Sequence, residues 1–582
     1  MGLLFFISDV PMTNFQDKAN FIWQVADDIL RGSFKPHEYG DVTLPFVVLR
    51  RLDCVLAPSR DEVRETYLKF KDVLDDPTPV VLKATGGLNF YNTSQYDLER
   101  LGQDAKNIQL NVQTYINGFS PNVRDILKNF QLGKHIAKLT KNKLLFMMVK
   151  RFTEVDVHPD HVSNHEMGYI YEELLRRFSE MANEQAGDHY TPREVIQLMV
   201  NLIFAQDKDT LTGRGIIRSV YDPACGTGGM LTIAKDHILE TINEDITVNL
   251  FGQELNEQTY AISKSDFLIT GENPENIRQG NSFTEDKFKG ERFNYLLSNP
   301  PYGVSWKKEK AFVTHEAADP HGRFKAGTPR VSDGSLLFVQ HMISKMEPTG
   351  SRMGIVLNGS PLFTGDAGSG ESDIRKWIIE NDWLETIVAL PTELFYNTGI
   401  ATYVWIVTNR KAPERRGKVQ LIDGTSFYKK MRKSLGNKRN YITDEQIDAL
   451  TQLYAAFEAG PHVKVFDNAD FGYTKIRVDR PERTKHGEPK FKRNGEPVAD
   501  SALRDYERVP LTEDVNAYFE REVIPHVPDA WIDESYSRVG YEINFTQYFY
   551  EYKPLRSTEE IKRDILELDR ETEGLLMKVL EA

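Results

Sequence analysis

The sequence predicts an α/β protein in which a doubly wound mixed sheet follows an all-helical N-terminal domain and precedes a C-terminal helix. Three observations support this prediction. Apolar residues recur at intervals of three and four from residue 14 to residue 181, which is typical of amphipathic helices. After Pro192, short β-rich runs alternate with helical ones. A final apolar stripe near heptad spacing begins at Ile561.

We therefore predict four parts in the 582 residues of the chain. They are a helical domain over 13–181, a catalytic domain over 182–411, a charged and loop-rich extension over 412–552, and a C-terminal helix over 553–582. The apolar stripe of the last helix consists of Ile561, Ile565, Leu568, Leu575 and Val579. A lone helix with such a stripe needs a partner surface.

The N-terminal residues do not predict a targeting segment. They contain a short apolar run but lack the basic region of a signal peptide. The stretch after Met12 looks like an N-terminus that leads into a helix, so we hypothesise that translation starts at Met12 rather than Met1. N-terminal mass analysis of the native protein would test this. No segment reaches the ~18 to 20 apolar residues of a membrane span, so no membrane contact is predicted.

The composition restricts how and where the chain acts. A net charge of -14 argues against a protein that binds nucleic acid over its whole surface, since such binding depends on neutralising phosphates. Two cysteines, Cys54 and Cys225, are too few for a disulfide framework and lack metal-site spacing. We predict a cytoplasmic location and no metal site. The basic stretches at 429–439 and 475–493 are interpreted as solvated faces, with phosphate contacts as the alternative.

The alternation after Pro192 predicts particular strands and helices. The predicted strands are 219–222, 248–253, 295–298, 352–357, 386–390 and 403–408. The predicted helices are 230–243, 257–270, 335–346 and 372–381. Sheets of this kind bind ligands at the carboxyl ends of their strands. The residues that follow each strand are therefore the candidates for a site.

The first predicted strand leads through the glycine-rich loop 222–229 into a helix. Glycine lets the backbone turn sharply and approach a ligand, and the helix N-terminus favours an anionic group such as a carboxylate. The spacing is not a dinucleotide fingerprint, because the third glycine is displaced. A tight strand-to-helix turn is the alternative. The loop residues that we predict to bind a cofactor are Asp222, Gly226, Thr227, Gly228 and Gly229.

Glu254 ends the second predicted strand. An acidic residue at this place can accept hydrogen bonds from both hydroxyls of a ribose, so it predicts a nucleoside site. Upstream, the segment 184–193 joins the helical half to the sheet and can close over that site. An interdomain linker with a proline-started helix is the alternative interpretation.

Asn299-Pro300-Pro301-Tyr302 follows the predicted strand 295–298. Two prolines cannot donate to a β-ladder, and they fix the backbone rigidly. An amide, two carbonyls and an aromatic ring are thus presented where the sheet binds its ligands. A merely structural turn is the alternative.

The order of three motifs resembles a DNA N6-adenine methyltransferase. They are Gly187-Asp188-His189-Tyr190-Thr191-Pro192, the glycine loop that starts Asp222-Pro223-Ala224-Cys225, and Asn299-Pro300-Pro301-Tyr302. More narrowly, the chain resembles the modification (M) subunit of type I restriction-modification systems. The N-terminal stretches 22–27 and 44–53 are similar to the helical domain of those subunits. The resemblance covers nearly the whole chain from residue 13.

The resemblance implies an S-adenosylmethionine-dependent methyltransferase. Its cofactor site would use the glycine loop, the ribose carboxylate of Glu254, and Asn281 in place of an acidic residue toward the adenine. It would also use Asp188, His189, Tyr190, Thr191, Pro192 and Arg193. The implied partners are double-stranded DNA with a flipped adenine, a separate specificity (S) subunit docked through the C-terminal helix, and a restriction (R) subunit. Two M subunits per complex are implied.

The motif at Asn299 suits an amine that must be activated. We expect the side-chain oxygen of Asn299 and the carbonyl of Pro300 to accept the two N6 hydrogens, with Pro301 keeping the turn rigid and Tyr302 stacking on the flipped base. The same motif suits the side-chain amide of glutamine, so a protein glutamine N5-methyltransferase is one alternative. A catalytically inactive scaffold is another. A nicotinamide-dependent dehydrogenase has the wrong glycine spacing.

Overall fold

The computed structural model describes residues 13–182, 191–396, 398–550 and 557–568. Three predicted site residues, Asp188, His189 and Tyr190, lie outside the described residues, as do Leu575 and Val579 of the C-terminal stripe. The chain forms two compact units that divide after Ile543.

The N-terminal part of the first unit is helical, as predicted. Its helices are α1 (Thr13–Leu30), α2 (Tyr39–Leu56), α3 (Arg60–Phe70), α4 (Thr78–Lys83), α5 (Leu98–Leu101), α6 (Ile108–Asn117), α7 (Pro121–Asn129), α8 (Leu132–Lys141), α9 (Leu145–Thr153) and α10 (Asn164–Ala182). Their apolar faces meet in one buried core, because residues three and four apart share a helix face. Ala261, Ile262 and Leu268, which come from a later helix of the sheet, are buried in the same core.

The rest of the first unit alternates strands and helices. The helices are α11 (Arg193–Ala205), α12 (Gly229–His237), α13 (Glu257–Thr270), α14 (Lys310–Ala317), α15 (Ser335–Ser344), α16 (Ser360–Phe363), α17 (Gly370–Glu380), α18 (Asp444–Ala456) and α19 (Val515–Tyr518). The first seven strands are β1 (Ile217–Asp222), β2 (Thr247–Glu254), β3 (Ile277–Gln279), β4 (Tyr295–Ser298), β5 (Arg352–Asn358), β6 (Leu384–Ala389) and β7 (Thr402–Thr408).

Seven further strands follow residue 412. They are β8 (Lys418–Asp423), β9 (Lys429–Leu435), β10 (Lys438–Tyr441), β11 (Val463–Asp467), β12 (Gly472–Asp479), β13 (Asp505–Pro510) and β14 (Trp531–Tyr541). The predicted extension over 412–552 therefore contains strands that the sequence did not indicate. Val419, Leu421 and Ile422 form a fully buried run inside charged flanks, and those flanks hid the strand in the sequence.

The main sheet has nine strands in the order β11-β8-β6-β7-β5-β4-β1-β2-β3. Strand β7 runs antiparallel to β5 and β6, and β11 runs antiparallel to β8, whereas the other pairs are parallel. The sheet is mixed, as predicted. The carboxyl ends of β1, β2, β4, β5 and β6 share one edge, which we call the catalytic edge.

Two small sheets complete the first unit. Strands β9 and β10 form an antiparallel hairpin, and β12 pairs with β13 and β14. The second unit contains α20 (Phe545–Tyr548) and a helix over 558–568 on which Ile561 and Ile565 are exposed. Among the described residues, none of the helices has the length and apolar character that crossing a membrane requires.

Candidate active site

The glycine loop leaves β1 at a buried carboxyl group. Oδ1 of Asp222 accepts hydrogen bonds from the backbone N–H of Ala224 at 2.9 Å and from the hydroxyl of Ser298 at 2.8 Å. Burial, with a smaller effect from the nearby carboxylate of Glu254, raises the pKa of Asp222 to about 7, although the two hydrogen bonds oppose the shift. Both bonds end on Oδ1, which leaves Oδ2 for a ligand.

Glu254 lies at the carboxyl end of β2 and holds the glycine loop. Its Oε2 accepts the backbone N–H of Gly226, and its Oε1 accepts the backbone N–H of Asn256, each at 2.8 Å. Gly226 has a φ of 55°, which a residue with a side chain rarely adopts. An ionised carboxylate offers about four lone-pair sites, so Glu254 can still accept two hydroxyl hydrogens.

A cavity of about 310 Å³ opens beside Glu254 at the catalytic edge. Its apolar lining includes Leu255, Phe283, Pro301, Val304, Trp306 and Phe338. Its polar lining includes Glu254, Asn256, Asn281, Ser305 and Glu309. Apolar walls with a few placed polar groups are typical of a site for a small organic molecule. The cavity has room for a nucleoside.

Asn281 lines this cavity, as the resemblance predicted, but its amide has partners there. Nδ2 donates to Oε1 of Glu309 at 3.0 Å, and Oδ1 accepts the backbone N–H of Phe283 at 2.9 Å. Glu309 also lines the cavity. A carboxylate from another segment thus lies beside Asn281 in the wall of the cavity.

An arginine that the sequence did not indicate fixes the wall of this cavity. Arg323 donates to the carbonyls of Ser282 and Phe283 at 2.7 and 2.6 Å and pairs with both carboxylate oxygens of Glu316 at 2.7 Å. It also approaches Nδ1 of His341 at 2.9 Å. Burial, with the charge of Arg323, holds the pKa of His341 well below its usual range. His341 is therefore neutral and accepts at Nδ1.

Asn299 follows β4 and forms hydrogen bonds at both ends of its amide. Nδ2 donates to Oγ1 of Thr191 at 2.8 Å, and Oδ1 accepts the hydroxyl hydrogen of Tyr302. The Tyr302 ring meets Phe395 edge-on with ring centroids 6.0 Å apart. Burial raises the pKa of Tyr302 above its ordinary value. Two side chains of the predicted motif, those of Asn299 and Tyr302, are thus hydrogen-bonded to each other.

A second, small cavity joins Asn299 to the glycine loop. Its volume is about 30 Å³, which suits water rather than a purine. Its lining includes Thr191, Asp222, Gly226, Thr227, Gly229 and Asn299. The structure thus brings together predicted residues from three separate motifs.

Three other predicted residues lie elsewhere. Pro192 is the N-cap residue of α11. The guanidinium of Arg193 lies 4.0 Å from the ring centre of Tyr169, and its Nε lies 3.8 Å from a carboxylate oxygen of Glu172. Gly228 has a φ of 86°, and a Cβ there would meet Oγ of Ser263 at 2.8 Å. These residues shape the loop and its junction with α10 rather than either of the two cavities.

The sequence did not indicate the apolar and charged residues that line or hold the wall of the larger cavity. Leu255 is 63% exposed although it is a large apolar residue, and it stands directly after the ribose carboxylate. Trp306 and Arg323 come from the segment between Tyr302 and α15, in which the sequence shows no recognisable motif. In the sequence, the leucine directly after Glu254 is the local signal that could indicate an apolar wall beside it.

The geometry suits S-adenosylmethionine in two places. The larger cavity fits an adenosine between apolar walls, with Glu254 toward the ribose. The smaller cavity, at about 30 Å³, would have to widen to take the methionine part, with Asp222 and the glycine loop on its lining. Asn299 lies at the far side of that smaller cavity, where an acceptor nitrogen would be held.

Comparison with known proteins agrees with this geometry. The N-6 DNA Methylase family matches residues 162–473, and the HsdM N-terminal domain matches residues 18–152. The methylase subunit of the type I restriction enzyme MjaIX from Methanocaldococcus jannaschii is 28% identical over 78% of this chain and 80% of its own length. The EcoKI methylase subunit from Escherichia coli is 25% identical over 56% of this chain and 60% of its own length.

Solved structures show the same fold. A type I methyltransferase subunit from Streptococcus thermophilus superposes with a TM-score of 0.61 at 21% identity, over 78% of this chain and 96% of that one. A modification subunit of a putative type I restriction enzyme from Vibrio vulnificus gives 0.51 at 18% identity, over 88% and 99%. Together with the sequence matches, these findings confirm the predicted resemblance to type I modification subunits.

Proposed function

Because the chain belongs to the N-6 DNA methylase family and is an adenine-specific DNA methyltransferase, we propose that it methylates N6 of an adenine flipped out of duplex DNA, with S-adenosylmethionine as the donor. One observation above all supports this. Asn299, at the end of β4, lines the same small cavity as Asp222 and the glycine loop. An amide that activates an amine and a loop that cradles the donor thus share one space.

On the donor side, the residues of the two cavities would hold S-adenosylmethionine. Glu254 would accept from the ribose hydroxyls, Phe283 and Leu255 would pack against the adenine, and Asp222 would face the ammonium group. When bound, the cofactor supplies a methyl group on a positively charged sulfur, which is a good leaving group. The protein therefore has to position the acceptor rather than create a reactive methyl.

On the acceptor side, Asn299 activates the exocyclic amine. The lone pair of N6 is delocalised into the purine ring, so the nitrogen is a weak nucleophile. Oδ1 of Asn299 and the carbonyl oxygen of Pro300 accept the two N6 hydrogens, and the nitrogen becomes more pyramidal. Its lone pair then points into the small cavity, at a separation of about 3 to 3.5 Å from the reacting carbon. The surplus proton leaves to solvent after transfer.

Tyr302 has to release Asn299 before an adenine can bind. Its hydroxyl donates to the same Oδ1 that the N6 hydrogen needs. The target atom is inaccessible inside a duplex, so the base must be extruded. Stacking of the flipped base on the Tyr302 ring, worth roughly 1 to 3 kcal/mol, would offset the lost hydrogen bond.

The chain works as the modification subunit of a type I restriction-modification complex in the cytoplasm. We infer that a separate specificity subunit selects the DNA sequence and docks on the C-terminal helix. Ile561 and Ile565 are exposed on its described part, which fits such a contact. Two M subunits per complex, and a restriction subunit in the complete assembly, belong to the same proposal.

One experiment tests the reaction. The full chain, with its specificity subunit, is incubated with S-adenosylmethionine labelled in the methyl group and with genomic DNA. We expect N6-methyladenine at one position of a two-part motif, mapped by sequencing. Label transferred to a glutamine-bearing protein instead would favour a protein glutamine N5-methyltransferase. The absence of transfer, despite measured cofactor binding, would favour an inactive scaffold.

A further inference from the structure

The strands β9 and β10 form a hairpin with several exposed cations. We propose that Lys429, Lys430 and Arg432 of this hairpin contact DNA phosphates beside the flipped adenine. This inference rests on the proposed function, because it assumes that duplex DNA approaches the catalytic edge. It assigns a role to one of the two basic stretches that the sequence left as solvated faces.

The hairpin is anchored at the catalytic edge. The backbone N–H groups of Asn437 and Arg439 donate to the carbonyls of Tyr396 and Glu393, at 2.8 and 2.9 Å. Buried Lys438 donates to the carbonyl of Leu394 at 3.0 Å. These three carbonyls belong to the loop that follows the carboxyl end of β6. The position of the hairpin is therefore fixed by backbone contacts with that loop.

The anchoring loop touches the acceptor motif. Phe395, in the same loop, packs edge-on against the ring of Tyr302. On its other side, Lys438 forms an ion pair with Glu194 of α11, and α11 starts two residues after Thr191, the hydrogen-bond partner of Asn299. The hairpin thus rests on both segments that hold the catalytic amide. A duplex that delivers a base to Asn299 would pass close to it.

Three cations on the hairpin have no ion-pair partner among the described residues. Lys429, Lys430 and Arg432 are exposed, and across the parts of the chain that the structure describes no carboxylate lies within ion-pair distance of them. Glu445 is near enough to Lys429 for a weak electrostatic effect but forms no ion pair with it. In a chain of net charge -14, this cluster is a local exception.

The second basic stretch, 475–493, differs from the hairpin because most of its cations are in ion pairs. Six of its eight Lys and Arg residues form ion pairs with carboxylates of the same chain. The ion pairs are Lys475 with Asp366, Arg477 with Asp533, Arg480 and Arg483 with Asp529, Lys490 with Glu482, and Lys492 with Glu496. A paired cation has less net charge to offer a phosphate. Two stretches that look alike in sequence thus differ in what they can bind.

The chemistry of the partner follows from this difference. Duplex DNA presents about one negative charge per 1.7 Å of its axis, and each phosphate neutralised by Lys or Arg releases counterions. Three exposed cations on β9 can meet neighbouring phosphates in such a row of charges. Contacts with phosphates carry no information about the base sequence. The three cations would therefore set the register and affinity of DNA binding rather than its sequence preference.

The test compares two triple variants of the full chain, each in complex with its specificity subunit. One is K429Q/K430Q/R432Q, and the matched control is R483Q/K490Q/K492Q, which removes the same number of charges from the paired stretch. Binding to a fluorescent random-sequence DNA duplex is measured over a range of salt concentrations. S-adenosylmethionine affinity is measured in parallel to verify an intact fold.

We expect the hairpin variant to reduce the slope of log affinity against log salt by about 2 to 3. At low salt, its affinity should fall at least roughly tenfold, whereas the control should match the wild type. A single R432K variant should keep the wild-type slope, because a phosphate contact needs the charge. An unchanged slope in the hairpin variant, or an equal loss in both triples, would overturn the proposal.

The result of this DNA-binding test can be distinguished from a failure of the proposed methyl transfer. The binding assay does not depend on methyl transfer. A complex that binds DNA through the hairpin but leaves adenine unmethylated would count against the proposed reaction and support the hairpin contact. A complex that methylates adenine with the same salt slope in all variants would support the reaction and overturn the hairpin contact.

Discussion

The part of the candidate site proposed for the methyl donor (the donor half) and the part proposed for the target adenine (the acceptor half) differ in the space and the hydrogen-bonding groups that they offer a ligand. The donor half has a cavity of about 310 Å³, and its ribose carboxylate still has lone pairs available. The acceptor half has about 30 Å³, and its amide is bonded at both ends. A nucleoside can therefore enter the larger cavity without rearrangement, whereas a target adenine would have to displace a hydrogen bond of the protein itself.

This difference predicts that the two halves respond to different substitutions. Changes at Asn299 and Tyr302 should alter methyl transfer more than cofactor affinity. Changes at Glu254 and Asp222 should alter cofactor affinity first.

The largest effect is expected for Asn299→Ala. This variant removes the oxygen that accepts an N6 hydrogen, so single-turnover methyl transfer should fall by about 10²- to 10³-fold, as when a positioned hydrogen-bonding group is removed from an active site. S-adenosylmethionine affinity, measured by calorimetry, should stay within about threefold, since an affinity factor of that size is under 1 kcal/mol. Near-normal transfer would remove Asn299 from the mechanism.

Glu254→Ala should act on the other half. It deletes the acceptor of both ribose hydroxyls and of the Gly226 N–H. Cofactor affinity should fall by roughly 100-fold, as for two lost hydrogen bonds to a charged group. Glu257→Gln, three residues away at the exposed start of α13, is the matched control. If the two variants bind the cofactor equally well, Glu254 does not hold the ribose.

Tyr302 offers a graded test of the acceptor half. Tyr302→Ala removes the stacking ring and should weaken DNA-dependent transfer by roughly 10- to 100-fold, in line with base-aromatic stacking. Tyr302→Phe keeps the ring and releases Oδ1 of Asn299, so it should retain most of the activity. A phenylalanine variant as impaired as the alanine variant would show that the hydroxyl, not the ring, is required.

The smallest effect concerns pH. Asp222 has a pKa of about 7 because it is buried. A bound ammonium group favours the ionised carboxylate, so below pH 7 a proton must leave before binding, and cofactor affinity should rise with pH, by at most about tenfold per unit. Above pH 7 the rise should level off. Asp222→Asn keeps an oxygen for both hydrogen bonds and should flatten this dependence; an unchanged slope would exclude Asp222 as its source.

The sequence predicted the fold well where apolar runs were bounded by turn residues. All the predicted strands are present, and β4 and α13 have the predicted bounds. Strand β3 was missed because it has only three residues. Strands β8 and β11 were missed because charged residues flank them. The methyltransferase fold and the family are confirmed.

The site was predictable only where it is local in the chain. Asp222 and Glu254 each end a strand and Asn299 directly follows one, so the sheet itself places them at one edge. Trp306 lines the cavity and Arg323 holds the carbonyls of two lining residues, and no pattern in the sequence indicates such tertiary contacts. The closed state of Tyr302 also depends on rotamers that the sequence does not define.

Helix α13 has a consequence for how the protein unfolds. Ala261, Ile262 and Leu268 are buried in the helical core, whereas Tyr260 and Phe267 of the same helix are buried in the core of the sheet. Neither core is complete without this helix. The helical half and the sheet should therefore melt in one cooperative calorimetric transition, although the sequence divides them into two domains. Ligand added to one half would then raise the melting temperature of both.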